Sequence, residues 1–153
     1  MSEYQVLKEP FPVKIILSDN TTMEGALYLG IHAALHEGHE RVRDILNQKE
    51  PFIPIRFSGG ATRLVHKDQL AVIVFNSEEI AMENEVLSNP SVHEVVVHLL
   101  NKVQFGGRFL SLLPSHARRV KDYLNQDESF LELIRDSEIY LINKSHVLYV
   151  EEK

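Results

Sequence analysis

The sequence predicts a mainly β (α+β) protein in which one small unit is used twice: two tandem small barrels, each with one inserted amphipathic helix. Three observations carry this. Residues 42–52 read VRDILNQKEPF and residues 120–130 read VKDYLNQDESF, identical at seven of eleven positions and 78 residues apart. Around each copy lie short runs rich in β-branched and apolar residues, bounded by Asn, Asp, Gly and Pro turn signals. Short, sharply bent strands with a single helix suit a small closed barrel.

A chain of 153 residues is long enough for one ordinary domain or two small ones. The repeat selects two, residues 13–75 and 92–150, joined by an acidic linker over 76–91. Units of this size bury a modest core and lean on a neighbour. The apolar fraction, 44%, is ordinary for a globular protein in water. With no cysteine, disulfides and thiolate metal sites are excluded, which fits a reducing cytoplasm. The opening MSEYQVLKEPFP carries charge where a secretion signal needs an apolar stretch, and no apolar run approaches the ~20 residues of a membrane-spanning helix. A cytoplasmic protein without a membrane partner is expected. The net charge of −6 opposes long-range attraction to phosphate backbones.

Taken in order, residues 1–12 read as a lead-in, with Pro10 and Pro12 stopping regular structure. VKIILS is a strand, Asp19-Asn20 a turn, and TTMEGALYLG a second strand. Its Met23, Gly25, Leu27 and Leu29 share a face, and Gly25 marks a bulge or bend. HAALHEGHERVRDILNQ has a helical pattern, with Val42, Ile45 and Leu46 as its stripe and Asn47 as its stop. PFIPIRF, bracketed by Pro51 and Pro54, is a strand with a free edge, and ATRLVHKDQLAVIVF supplies two more around a tight reversal at 66–68. NSEEIAMENEVLSNP, with four glutamates and no Lys or Arg, is the linker. In the second unit VHEVVVHLL, the Asn101-Lys102 turn and VQFGGRFLSLL repeat the first hairpin, with Gly107 at the place of Gly25. Ser115 is set to cap the helix HARRVKDYLNQ, striped by Ala117, Val120, Tyr123 and Leu124. SFLELI and EIYLINKSHVLYVEE complete the unit. The latter matches the first unit 77 residues earlier, pairing Leu64 with Leu141, Val65 with Ile142, Lys67 with Lys144 and Leu70 with Val147.

The ends of each unit resemble the Sm-like family. Its first motif, an apolar strand before a turn and then a bent strand holding a Gly, is matched by VKIILSDNTTMEGALYL and more loosely by VVVHLLNKVQFGGRFL. Its second, two short strands about a tight turn, is matched by RLVHKDQLAVI and YLINKSHVLYV. In the bacterial Sm-like RNA chaperones that turn has an aromatic-Lys-His core; His66-Lys67-Asp68 and Asn143-Lys144-Ser145 keep only the lysine. The resemblance covers about half of each unit and rests mostly on apolar spacing. It implies an SH3-like or Sm-like barrel in a bacterial protein, and makes Lys67, Lys144, His66 and Asn143 candidate nucleic-acid contacts. The family's RNA-contacting loop is replaced here by the repeated helix, and its Arg-Gly and Asp-x-x-x-Asn signatures are absent. The implication is therefore stronger for fold than for RNA.

His32, His36 and His39, with Glu37 and Glu40, form the densest polar cluster. On a helix, imidazoles at i and i+4 can share a divalent metal, which makes the three histidines candidate ligands. Gly38 interrupts the pattern and the second unit offers only His116, so a solvated polar insertion competes with that reading. Asp44, Asn47 and Gln48 recur as Asp122, Asn125 and Gln126. They form either a repeated binding surface or the hydrogen bonds that each helix end requires. There is no G-x-S-x-G, P-loop or G-x-G-x-x-G pattern, so neither catalysis nor a cofactor is expected. The expected function is a non-catalytic binding or scaffold module built from an internal duplication. Its partner would be another protein or a second copy of the chain. Nucleic-acid binding through the Sm-like barrel and metal binding by the histidines are the alternatives.

Overall fold

A computed structural model describes residues 8–30, 41–76, 91–111 and 119–153. Strands β1 (Lys8–Leu17), β2 (Thr22–Gly30), β3 (Phe52–Phe57), β4 (Thr62–His66) and β5 (Leu70–Asn76) come from the first half. Strands β6 (Ser91–Leu99), β7 (Gln104–Ser111), β8 (Phe130–Arg135), β9 (Glu138–Asn143) and β10 (Val147–Glu152) come from the second. Two short helices, α1 (Val42–Leu46) and α2 (Val120–Leu124), precede β3 and β8. His32, His36, His39, Glu37, Glu40, Ser115, His116 and the interior of the acidic linker lie outside the described residues.

The ten strands form one antiparallel sheet in the order β10-β6-β7-β8-β9-β5-β1-β2-β3-β4. It does not close on itself, unlike the closed barrels expected. In the first half the order is β5-β1-β2-β3-β4, and in the second β10-β6-β7-β8-β9. Each half has the same internal pairing. They join where β5 lies against β9, from Val72 opposite Ile142 to Asn76 opposite Glu138. A single 3-10 turn, Lys67–Gln69 in one half and Lys144–His146 in the other, redirects the chain between β4 and β5 and between β9 and β10. β5 is thereby carried away from its own hairpin partner and onto the other half.

The pattern of side chains explains the layering. β3 alternates, with Ile53, Ile55 and Phe57 buried. Residues 70–74 of β5 are all buried, as a central strand covered on both faces requires. Two apolar clusters result, and both draw on both halves. One holds Val13, Ile15, Leu27, Val42, Leu46 and Ile55 together with Phe130, Ile134, Ile139 and Leu141. The other holds Ala71, Val72 and Val74 together with Val95, Phe109, Val120 and Leu133.

Three expectations are corrected. Pro10 and Pro12 do not stop the chain; they lie inside β1, opposite Tyr28 and Ala26 of β2. β1 pairs with β5 only from Lys14 onward, so the prolines occupy the part of β1 that has one strand neighbour and needs no second donor. The helices are also shorter than their patterns suggested. Arg41 and Arg119 are extended, and each helix begins one residue later. In each, the carboxylate three residues on accepts the backbone N–H of that arginine, Asp44 from Arg41 at 2.8 Å and Asp122 from Arg119 at 3.3 Å. Gly25 and Gly107 keep ordinary negative φ; among the described residues only Gly59 and Gly60 are glycines at positive φ. What the strand glycines provide is close approach of the next strand, taken up in the Discussion.

α2 is pinned to the sheet by Tyr123. Its ring stacks on Phe109 at 4.5 Å, and its hydroxyl donates to the Glu132 carbonyl at 2.9 Å. Burial, reinforced by Glu132, raises the phenol well above the ordinary tyrosine range. An unfolded chain releases that proton near pH ~10 and the folded chain only above it, so stability falls as pH rises through 10. One such group removes about 1.4 kcal/mol per pH unit in that window. Tyr140, also raised by burial, acts in the same sense. Lys67 and Lys144, lowered by burial, act in the opposite sense just below their ordinary value. Urea unfolding from about pH 9 to about pH 11 should show a shallower alkaline loss in Tyr123→Phe than in wild type. An unchanged slope would remove Tyr123 from this account.

Candidate functional site

The repeated polar residues are used twice in the same way. Asn47 donates its side-chain amide to the Arg43 carbonyl at 3.0 Å, and Asn125 donates to Lys121 at 2.9 Å, so each ends its helix. The Lys67 ammonium donates to the Gln48 carbonyl at 2.6 Å, and Lys144 donates to that of Gln126. A cation at the carboxyl end of a helix meets carbonyls that lack an intrahelical donor. Lys67 is buried and is not an exposed turn lysine. At the 3-10 turns, the His66 Nδ1 accepts the Asp68 N–H at 3.1 Å, and the Asn143 Oδ1 accepts that of Ser145 at 3.1 Å.

Three of these pairs diverge at the seam between β5 and β9. Asn143 is buried there, and its amide donates to the carbonyls of Lys67 and Leu70, at 3.3 and 3.0 Å, across the join. His66, its counterpart on β4, is half-buried and has no strand beyond it among the described residues. The Asn47 Oδ1 accepts from Ser129 and Phe130 N–H groups at 2.8 and 3.1 Å, tying α1 to β8 of the other half. The Asn125 Oδ1 accepts from nothing among the described residues. Arg43 faces Glu128 and Glu132 across the seam at 3.7 and 3.5 Å. Lys121, its counterpart, has no such acid opposite it among the described residues. Asn143→Ala would strand two buried carbonyls and one N–H, and is expected to cost about 3 kcal/mol. A loss under about 1 kcal/mol in chemical denaturation would deny that those bonds hold the seam.

The outer ends of the sheet are β4 and β10. They carry the counterparts of the seam residues, and these are exposed. Phe52, beside β4, is 52% exposed where Phe130 is 2%. Leu64 is 71% exposed where Leu141 is 1%. Leu148 and Tyr149 on β10 are exposed, and they stand at the places of Ala71 and Val72, both fully buried. A sheet edge with unpaired N–H and C=O groups and apolar side chains is a template for another strand. Polar contacts lie beside β10, where His98 meets Glu151 at 2.5 Å and stacks on Tyr149 at 4.3 Å.

Elsewhere the chemistry is sparse. A groove of about 750 Å³ runs over β1, β2 and β3, lined by Phe11, Lys14, Glu24, Arg56, Phe57 and Ser58 among others. Among the described residues no histidine lines it beside the serine. Among the described residues no three His, Asp or Glu side chains are placed to hold a metal ion. No described helix is long and apolar enough to cross a membrane.

Phe52 lies in the segment expected to have a free edge, whereas Leu64, Leu148 and Tyr149 carry no such mark, because the same apolar alternation describes a buried strand and an open one. For these three the visible signal was charge. Arg63 and Glu151 stand where the seam has Tyr140 and Val74. Comparison with protein-family models, with curated proteins and with solved structures returns no match.

Proposed function

We propose that the chain is a non-catalytic binding or scaffold module, made of two Sm-like five-stranded units joined at the seam, that works through the outer edges of its sheet. The observation that carries this is the exposure of Leu64 on β4, of Phe52 beside it on β3, and of Leu148 and Tyr149 on β10, against the burial of their counterparts at the seam. Each edge carries charge, Arg63 on β4 and Glu151 on β10, but large apolar side chains beside that charge stay exposed. The nucleic-acid reading is less well supported. Lys67 and Lys144 already spend their ammonium groups on helix-end carbonyls, and the chain is acidic.

The test is a pull-down from native cytosol with the wild-type chain and with a Leu64→Lys/Tyr149→Lys chain, whose edges carry charge. Protein held by the wild type and lost by the variant supports the reading. Equal recovery of nuclease-sensitive nucleic acid by both, with no protein difference, overturns it in favour of the nucleic-acid reading.

A further inference from the structure

We infer that the groove over β1, β2 and β3 is a site for a small zwitterion, an α-amino acid with an apolar side chain, present on the first half and absent from the second. The site is separate from the edge-binding reading and uses neither β4 nor β10. Its basis is a comparison that the repeat itself supplies. The halves share one internal pairing, so a surface that one half has and the other lacks is not a requirement of the fold.

The register fixes which residues correspond. Val13 lies opposite Gly25 as Val95 lies opposite Gly107, and Ala26 lies opposite Arg56 as Arg108 lies opposite Ile134. Lys14 lies opposite Val74 as Val96 lies opposite Glu151. Pro12 and Ala26 therefore hold the places of Glu94 and Arg108. In the second half this pair sets a long acid across from a long base, both exposed, and the two side chains cover the strands beneath them. In the first half a proline ring faces a methyl, and the floor is open. Around that floor the exchange runs the other way. Lys14, Glu24 and Arg56 stand where the second half has Val96, Gly106 and Ile134. The first half has moved its charge from the middle of the face to the rim.

Side chains opposite one another on antiparallel strands, and those one step along the diagonal, lie about 4.5–8 Å apart at Cβ. Arg56 is directly across from Ala26, Lys14 is diagonal to it on the other side, and Glu24 is on the same face of the same strand. All three charged side chains are exposed, and none makes an ion pair among the described residues, although Lys14 faces Glu24. A base on each side of an open floor suits a carboxylate, which Arg56 can meet with two parallel N–H donors. Glu24 beside them suits an ammonium. Both signs of charge within one step of the sheet fit a ligand that carries both on neighbouring atoms. A simple anion would be opposed by Glu24 and by Glu138 on the rim, and a simple cation by the two bases.

The remaining lining takes the side chain. Pro10 and Pro12 are exposed, and Phe11 and Phe75 are half-buried in an edge contact at 5.5 Å. Gly59 and Gly60 have open space where a Cβ would stand, which keeps the turn after β3 low beside the groove. An apolar lining with a few converging polar groups, in a volume of about 750 Å³, is the ordinary make-up of a small-molecule site.

Titration of L-phenylalanine and of L-leucine into the isotope-labelled full chain, followed by amide NMR shifts, tests the inference. Saturable shifts are expected at residues 12–14, 24–26 and 56–60, with 92–96 and 106–108 unmoved. N-acetyl-L-phenylalanine lacks the ammonium and L-phenylalanine amide lacks the carboxylate, and each is expected to bind about fivefold or more weakly. Arg56→Gln should erase the difference between L-phenylalanine and its amide, and Glu24→Gln the difference between L-phenylalanine and its N-acetyl form. Ala26→Arg fills the floor as Arg108 does in the second half and should abolish the shifts, with circular dichroism unchanged. Saturable binding by neither amino acid overturns the inference. So do shifts confined to the second half, an acetylated compound that binds as tightly as the free amino acid, or binding that survives Ala26→Arg. Each of these results leaves the edge-binding reading standing, because the substitutions that test it lie on β4 and β10.

Discussion

Phe130→Ala is expected to lower folding stability by about 3–5 kcal/mol, and Phe52→Ala by about 1 kcal/mol or less. The two residues occupy the same place in the repeated segment, six residues past the last residue of each helix. Phe130 begins β8 inside the cluster that holds Val13, Leu27, Val42 and Leu46 of the other half, and its N–H is held by Asn47. Truncation removes a whole aromatic ring from a packed site and leaves a cavity that the flanking strands, tied to both neighbours, can fill only in part. Phe52 is half in water and edges against the His66 ring at 4.7 Å. Urea denaturation of the two variants measures the difference. Equal losses would mean that the seam does not distinguish the halves.

Gly107→Ala is expected to cost about 3 kcal/mol, while Gly106→Ala is close to neutral. A methyl on Gly107 would stand 2.6 Å from the Ile134 carbonyl oxygen and 2.8 Å from Leu133 Cγ, whereas the nearest neighbour at Gly106 is the Val95 carbonyl at 4.0 Å. The first contact is with backbone of a paired strand and cannot be relieved by turning a side chain. In an ordinary strand Gly→Ala stabilises slightly by restricting the unfolded chain, so the sign of the effect tests the close approach. Gly25 is the milder case, 2.9 Å from the Arg56 carbonyl and 3.0 Å from Ile55 Cγ2. Thermal unfolding should place Gly107→Ala lowest, Gly25→Ala next, and Gly106→Ala nearest to wild type.

What the sequence made legible was local. The strands, the Asp19-Asn20 and Asn101-Lys102 turns, and Asn47 ending a helix follow from alternation and turn chemistry, which act over a few residues. Asn20 and Lys102 take the left-handed backbone that such tight turns require, with φ of 71° and 68°. The matched glycines were also visible, but their cause was not. A bulge and a close backbone approach leave the same single Gly in a strand. Helix length was overestimated because the stripe Val42, Ile45, Leu46 fits a helix of any length, whereas extended Arg41 is set by the Asp44 carboxylate drawing its N–H back. Open edges were the least legible feature. Whether Leu64 or Leu141 is covered depends on a strand more than sixty residues away, and the only local trace of it is the charge of Arg63 where the seam has Tyr140.

The exchange of core residues between the halves has a consequence for how the chain is made. The cluster beneath α1 is finished by Phe130, Ile134, Ile139 and Leu141. At about 5–20 residues per second, synthesis leaves the early strands waiting on the order of 5–15 s for the residues that cover them. During that interval β5, the most apolar strand in the molecule, emerges with no partner on its outer side. Nascent chains on neighbouring ribosomes translating one message would present the same bare strand to one another, so crowding at the site of translation, more than the stability of the finished fold, sets the risk of mispairing.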